Sequence, residues 1–305
     1  MKLGFIGLGA MGRPMALHFL AAGHELSVYA RRAEAAQPLI DAGAHRCATP
    51  AAVAAASEVV FTMVTTGADV EEVALGEQGI LHGARPGTVL VDMGTIPPGT
   101  ARRIAARLAE RGIEAIDAPV SGGEVGARNA TLAIMAGGKA EVLARVRPLL
   151  EKLGKTIVHI GPAGAGQVAK ACNQMIMVSC IEALAEAMLL AQRSGVDPAR
   201  VKQALSGGSA ASRVLDVFGA KMAARDFKAG VEARLHHKDF AILMNEAHAL
   251  GAALPVAAQV WQQLNALMAH GWGREDTSGL LRVLEGASIG FSSARQPSGS
   301  PQERA

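Results

Sequence analysis

Gly164-Ala165-Gly166-Gln167-Val168-Ala169-Lys170-Ala171-Cys172-Asn173-Gln174-Met175-Ile176-Met177 opens a run that continues without proline to Ser194 and stops at Gly195. Ala, Leu, Met, Glu and Gln fill it, and Gly195-Val196-Asp197-Pro198 closes it, so the run reads as one helix. At about 1.5 Å per residue it spans roughly 45 Å, more than a small domain needs. Strand and helix patterns alternate before it, and only helix patterns follow it. The run therefore reads as a helix that joins two domains and offers one face to each.

Its first turns carry unusual chemistry. Lys170 and Asn173 lie three apart and share a face with Gln174 and Met177. The residues around them (Val168, Ala169, Ala171, Ile176, Val178) are small or apolar. A sealed apolar core leaves a lysine ammonium unsolvated, whereas a cleft lowers its pKa toward acid/base work. The plainer reading of this stretch alone is a surface lysine snorkelling at a domain edge. Both readings stand at this point.

The N-terminal half narrows the choice. Lys2 to Ile6 is a short apolar strand, Gly7-Leu8-Gly9-Ala10-Met11-Gly12 follows it, and Arg13 to Ala22 reads as helix up to Gly23. Glu25 to Tyr29 then reads as a second strand. This is strand, G-x-G-x-x-G, helix, strand, the context in which such glycines cradle a dinucleotide pyrophosphate at a helix N-terminus. The second strand ends in Ala30-Arg31-Arg32, with no acid at the tip to bind a ribose 2′-hydroxyl. Two arginines there suit a 2′-phosphate, so NADP(H) is favoured and NAD(H) is the alternative; solvated surface arginines are the plain reading.

The alternation continues through strands at Val59 to Val64, Thr88 to Met93, Ile113 to Ile116, Leu132 to Met135 and Thr156 to Ile160. Ligands in such sheets bind beyond the strand C-termini, which places Val64, Thr65, Gly94 and Thr95 beside the cofactor. In Asp117-Ala118-Pro119-Val120-Ser121-Gly122-Gly123-Glu124, the glycines after Ser121 open backbone amides that suit a carboxylate or phosphate; an ordinary glycine turn is the alternative. The alternation ends at Gly161-Pro162, ahead of the long helix.

After Gly195 come helices at Pro198 to Leu205, Ser212 to Met222, Leu235 to Leu250, Pro255 to His270 and Ser278 to Leu284. Residues 289–305, rich in Ser, Gly, Pro and Arg, read as a disordered tail. The fold class is therefore α/β, with a Rossmann-type N-terminal domain (1–162), a long interdomain helix (163–194) and an all-α C-terminal domain (195–288). His236-His237 cannot share a helical face and no H-e-x-x-H pattern occurs, so no metal site is read. Lys238 with Asp239 reads as a surface pair, with a cleft position as the alternative.

Composition excludes several classes. The chain has 305 residues, half of them hydrophobic, with one tyrosine, two tryptophans and seven phenylalanines, so aliphatic side chains make the core. A net charge of +3, well mixed along the chain, argues against nucleic acid as a partner. No apolar run reaches the 18 or so residues of a membrane span, so no membrane partner is expected. The chain opens directly on a strand pattern, so no signal peptide is expected. Cys47, Cys172 and Cys180 form no zinc or redox spacing, which suits a reducing cytoplasm. The helical half, rich in Ala, Leu and Met, is expected to bury apolar surface in a homodimer or homotetramer.

Together these residues resemble the β-hydroxyacid dehydrogenase family over nearly all of residues 1 to 286. Gly4 to Met15 is similar to its cofactor signature, Asp117 to Gly123 to its substrate signature, Gly164 to Gln174 to its catalytic signature and Lys238-Asp239 to its cofactor-side motif. Asp117 to Arg128, Asn173-Gln174, Ser212-Arg213 and Leu235 to Asp239 are most similar to its tartronate semialdehyde reductase branch. The 3-hydroxyisobutyrate dehydrogenases are the near alternative, and succinic semialdehyde and glyoxylate reductases are also similar. Arg31-Arg32 and Thr65-Thr66 depart from the pattern and leave the cofactor preference open.

The resemblance implies an NAD(P)-dependent oxidoreductase acting on a small 3-oxo or 3-hydroxy acid. It implies Lys170 as general acid and base, and Asn173 and Gln174 as substrate-site neighbours. Ser121, Gly122 and Gly123 would hold the substrate carboxylate, and Lys238 would sit on the cofactor side. The rival from another class is a cofactor-binding sensor module without turnover. Members of that kind lose the lysine and add domains, and this chain keeps Lys170.

Overall fold

The computed structural model describes residues 1–288; the expected tail, 289–305, lies outside the described residues. The chain divides into two compact units. One comprises Met1–Ile176 with Leu235–Ala257, the other Met177–Arg234 with the chain from Ala258 onward. The division falls inside the long helix, and the segment Leu235–Ala257, expected in the helical half, belongs to the first unit.

The first unit is built on a sheet. Its strands are β1 (Lys2–Ile6), β2 (Glu25–Tyr29), β3 (His45–Arg46), β4 (Val59–Thr62), β5 (Val89–Asp92), β6 (Glu114–Asp117), β7 (Val120–Ser121), β8 (Leu132–Gly137) and β9 (Gly154–Gly161). The helices between them are α1 (Gly12–Ala21), α2 (Gln37–Asp41), α3 (Pro50–Ala55), α4 (Gly67–Leu75), α5 (Ile80–Gly83), α6 (Pro98–Ala109), α7 (Gly123–Arg128) and α8 (Ala140–Leu150). The order β3-β2-β1-β4-β5-β6 is parallel throughout, which makes a Rossmann half-sheet. β8 then runs antiparallel to both β6 and β7, and β9 pairs with β8 in parallel. The strand β7 and this reversal escape a periodicity reading, because β7 is two residues long and follows a proline.

Apolar side chains cover both faces of the sheet. The scarce aromatics sit where α1 meets it: the Phe19 ring lies 4.7 Å from Phe61, and Phe5 stacks 6.1 Å from Phe61. All three are fully buried, each contributing on the order of 2 kcal/mol of hydrophobic stabilisation. Ile6, Val60, Leu90 and Ile104 fill the other face. Parallel strands covered on both sides lose the polar–apolar alternation, and the burial of every residue of β4 and β5 reflects this.

The long helix α9 runs from Ala165 to Arg193. The expectation of no membrane-length apolar helix needs correcting. The most apolar 18-residue window of α9 has a mean hydropathy of 1.6, enough by length and composition to cross a membrane, and 44% of that window is buried. Single polar residues interrupt the run without lowering its average much. Lys170, Gln174 and Glu182 are among the buried residues of α9, the pattern of a helix packed inside protein.

The second unit is helical. It holds the later turns of α9, then α10 (Pro198–Leu205), α11 (Ala220–Ala224), most of α13 (Pro255–Ala269) and α14 (Leu280–Ala287); α12 (Ala233–Leu250) lies almost wholly in the first unit. The helix expected over Ser212 to Met222 contains a π-helical stretch at Leu215–Gly219 and continues as α11 to Ala224. Met222, Leu264, Leu267, Leu280 and Leu281 make the core of this unit. Glu182 is also buried there, and burial, then the nearby Glu186, raises its pKa to about 7.

One carboxylate joins the sheet to α9. Asp117, the last residue of β6, accepts the Gly164 amide at 2.7 Å through one oxygen and the Gln167 amide at 3.0 Å through the other. It caps α9 from a neighbouring strand and meets the positive end of the helix dipole. Replacing Asp117 by Ala strands two buried donors and is expected to cost about 2 kcal/mol, read as a lower urea midpoint. An unchanged midpoint would contradict the capping role.

Candidate active site

The glycine loop after β1 fits a dinucleotide. Gly7 has φ of +97°, and a Cβ there would lie 2.3 Å from the Met63 carbonyl oxygen. A Cβ on Gly12 would lie 1.9 Å from the Gly7 oxygen, so only glycine lets α1 start this close to the loop. A Cβ on Gly9 would meet nothing within 4 Å, because Gly9 borders open space. The amides of Gly9, Ala10 and Met11 make no backbone hydrogen bond among the described residues, which leaves them available as donors just ahead of α1. The donor set suits a pyrophosphate.

A groove of about 480 Å³ continues from this loop. Of the residues expected at the cofactor, Gly7, Leu8, Gly9, Arg31, Arg32, Val64 and Thr65 line it. Ala10, Met11 and Gly12 do not line it: Ala10 lies in the turn before α1, Met11 is the N-cap and Gly12 the first residue of the helix. The tip of β2 carries no acid, yet the groove does contain one. Asp69, from the first turn of α4, sits 3.1 Å from the Arg31 guanidinium. Its other oxygen accepts from the Thr66 hydroxyl at 2.6 Å and the Thr66 amide at 3.1 Å, while Thr66 Oγ1 accepts the Asp69 amide at 3.1 Å. This capping box fixes the carboxylate, which holds one face of Arg31 and leaves the guanidinium largely exposed.

Lys170 sits in a chain of polar side chains. Its Nζ donates to Gln174 Oε1 at 2.9 Å, which also accepts from Asn173 Nδ2 at 2.9 Å. Gln174 Nε2 donates to Asp239 Oδ2 at 2.6 Å. Asp239 Oδ1 lies 3.0 Å from Lys238 Nζ, and Lys238 Nζ donates to the Thr95 carbonyl at 2.7 Å. Thr95 and Lys238 therefore meet each other away from the walls of the glycine-loop groove. Asp239 is 6% exposed, which overturns the surface-pair reading of Lys238-Asp239. Lys170 is 7% exposed, which overturns its surface reading.

The electrostatics follow from this burial. Desolvation pushes the Lys170 ammonium down to about 8; Asp239 opposes the shift and Lys238 adds to it. Asp92, at the end of β5, accepts from Thr62 Oγ1 at 2.7 Å and from the Gly94 amide at 3.3 Å, and burial raises it to about 6. Burial also raises Asp117, while the amides of Gly164 and Gln167 pull the other way.

The Ser121-Gly122-Gly123 turn joins β7 to α7. Gly122 and Gly123 have φ of +137° and +60°; a Cβ on Gly122 would lie 3.2 Å from Leu132 Cδ2, whereas one on Gly123 would meet nothing within 4 Å, so the backbone is open at Gly123. The turn is tied to the lysine helix through Asp117, four residues upstream of Ser121 and bonded to the first turn of α9. Three buried groups of the site escape the sequence: Asp117 as a cap, Gln167, and Asp239 as the acceptor of Gln174. Only the adjacency of Asp239 to Lys238 signals any of them.

Known proteins supply an independent line. Residues 2–161 match the NAD binding domain of 6-phosphogluconate dehydrogenase, and residues 164–284 match the NAD-binding domain of NADP-dependent 3-hydroxyisobutyrate dehydrogenase. The chain is 45% identical over 285 residues to 2-hydroxy-3-oxopropionate reductase of Escherichia coli (strain K12), covering 93% of this chain and 97% of that one. A solved structure of Mycobacterium tuberculosis 3-hydroxyisobutyrate dehydrogenase with L-serine is 33% identical with a TM-score of 0.85, covering 92% of this chain and 98% of that one. A second, described as Psf3 in complex with NADP+ and 2-OPP, is 25% identical with a TM-score of 0.84, covering 92% and 99%. The chain belongs to the β-hydroxyacid dehydrogenase family of NAD(P)-dependent oxidoreductases.

Proposed function

We propose that this enzyme reduces a small 3-oxo acid to the 3-hydroxy acid, with tartronate semialdehyde, giving glycerate, as the preferred substrate and NADP(H) as the preferred cofactor. The observation that carries the reading is Lys170: buried, bonded to Gln174 and lowered to about 8. The cofactor held by the Gly7–Gly12 loop would supply a hydride for the aldehyde carbon. Lys170, as the ammonium, donates its proton to the oxygen on which negative charge grows, and the neutral amine takes that proton back from the alcohol in the oxidative direction. Gln174 holds the lysine by its acceptor oxygen and is itself held by Asp239. Asn173, bonded to the same oxygen, orients the substrate end of the site. The turn of Ser121, Gly122 and Gly123, open at Gly123, takes the substrate carboxylate and so positions the aldehyde. The loop from Gly7 to Gly12 takes the pyrophosphate, and Val64 and Thr65 line the cofactor groove. Thr95, whose carbonyl accepts from Lys238, would lie at the nicotinamide end of a bound cofactor. Arg31 and Arg32 take the 2′-phosphate.

The similarity to the Escherichia coli reductase supports tartronate semialdehyde over the other aldehydes. The mycobacterial 3-hydroxyisobutyrate dehydrogenase supports methylmalonate semialdehyde as the second reading. Exposed apolar residues on α9, Ile176 and Leu190, support a homodimer or homotetramer as the working form. Free thiols at Cys47, Cys172 and Cys180 agree with a cytoplasmic setting.

Turnover of NADPH and NADH against tartronate, methylmalonate and succinic semialdehydes and glyoxylate tests the substrate; a higher kcat/KM for any of the other three than for tartronate semialdehyde would overturn the assignment. Lys170→Ala is expected to lower kcat by a factor of about 10² to 10⁴ while cofactor binding holds, and full activity would rule the lysine out. The pH dependence has a defined sign. Reduction needs the protonated amine and should fall as pH rises through about 8, whereas oxidation needs the neutral amine and should rise to a plateau above it. A flat reductive profile from pH 6 to 10 would contradict the role. Arg31→Ala is expected to raise the KM for NADPH about tenfold and that for NADH little, because one charge-assisted contact is lost; equal effects on both would remove the arginine argument.

A further inference from the structure

Gln167 lies on the same face of α9 as Lys170 and Gln174, three and seven residues before them. It is 2% exposed. Its Nε2 donates to the Gly94 carbonyl at 2.9 Å, and its Oε1 accepts the Ile96 amide at 3.1 Å. The carboxamide therefore brackets Thr95 from both sides, as a paired strand would. The carbonyl of Thr95 is taken by Lys238 at 2.7 Å. Lys238 meets Asp239 at 3.0 Å, Asp239 accepts from Gln174 at 2.6 Å, and Gln174 accepts from Lys170 at 2.9 Å. These contacts form a closed circuit, which runs along α9 from Lys170 to Gln174, leaves the helix at Gln174 and returns to it at Gln167. Gln167 is the link between the Gly94–Ile96 loop and the helix that carries the lysine. Its own amide is fixed by Asp117 at 3.0 Å. The loop in turn abuts the cofactor groove, since a Cβ on Gly94 would lie 3.0 Å from the oxygen of Val64, a groove residue.

We propose that Gln167 is a positioning residue of the reaction, which holds the Gly94–Ile96 loop in register with Lys170 and so sets the spacing between the proton donor and the nicotinamide end of the cofactor site. The proposal rests on the reductase reading given above. Its role differs from packing, because both hydrogen bonds go to backbone atoms of a loop that precedes α6 and carries the Lys238 contact. Loss of the bracket lets the loop shift by a fraction of an ångström, and hydride transfer is sensitive to displacements of that size.

Two variants test it in the assay with wild type alongside. Gln167→Glu keeps an acceptor for the Ile96 amide but turns an oxygen toward the Gly94 carbonyl. Gln167→Asn keeps both groups on a stem one carbon too short to reach both partners. Each is expected to lower kcat at least tenfold, to leave the dissociation constant for NADPH within threefold, and to raise the primary deuterium isotope effect on kcat measured with NADPH deuterated at the transferred position. A structural role alone would not raise that isotope effect. Folded variants that keep kcat within twofold of wild type, or lose kcat with an unchanged isotope effect, would overturn the assignment to Gln167 and leave the reductase reading intact. A wild type that turns over none of the four aldehydes would overturn the reductase reading and this proposal with it.

Discussion

The carboxylate of Asp117 is the constraint on which the site depends. It ends β6, begins the turn toward Ser121, and accepts two amides from the first turn of α9. A buried carboxylate is costly unless its lone pairs are filled, and the unpaired N–H groups at a helix start are the donors that fill them best. The position of the first turns of α9 relative to the sheet is therefore set by electrostatics as well as by packing. The register of that helix decides where Lys170, Asn173 and Gln174 point.

From this anchor the chemistry follows in steps. Lys170 is buried, so its ammonium is destabilised and its pKa is pushed down to about 8. Asp239 favours the ammonium and opposes that desolvation, while Lys238 adds to it. Gln174 is the neutral spacer between them, donating to the carboxylate and accepting from the lysine. A direct lysine–carboxylate pair would raise the lysine pKa further and make it a poorer acid. The amide spacer keeps the attraction while leaving the proton available.

Much of this was legible in the sequence, and the reasons are specific. The G-x-G-x-x-G loop between a strand and a helix is local, and its geometry follows from three glycines whose steric roles differ. The length of α9 was readable from composition and the Gly195 stop. Lys170 stood out as a charge in an apolar context, though only the motifs around it chose the cleft over the surface. The hidden parts are contacts across long separations: 47 positions between Asp117 and Gly164, and 65 between Gln174 and Asp239. Pattern within a window carries no information about such pairs. The same limit explains Asp69. The absence of an acid at the tip of β2 was correct, yet the fold delivers one from α4 to the same arginine. It also explains why Lys238-Asp239 read as a surface pair, since two adjacent charges at a helix start give no sign of a buried partner.

The most direct measurement is the titration of Lys170 itself, free of kinetic steps. In protein labelled with 13C-lysine, the Lys170 Cε resonance, assigned by comparison with Lys170→Arg, can be followed from pH 6 to 11. A midpoint near 8 is expected, and it should move upward when Asp239 is kept but the site is opened to water. A midpoint near the ordinary lysine value of 10.5 would contradict the central claim, because a lysine in that state is neither desolvated nor poised to exchange its proton during turnover.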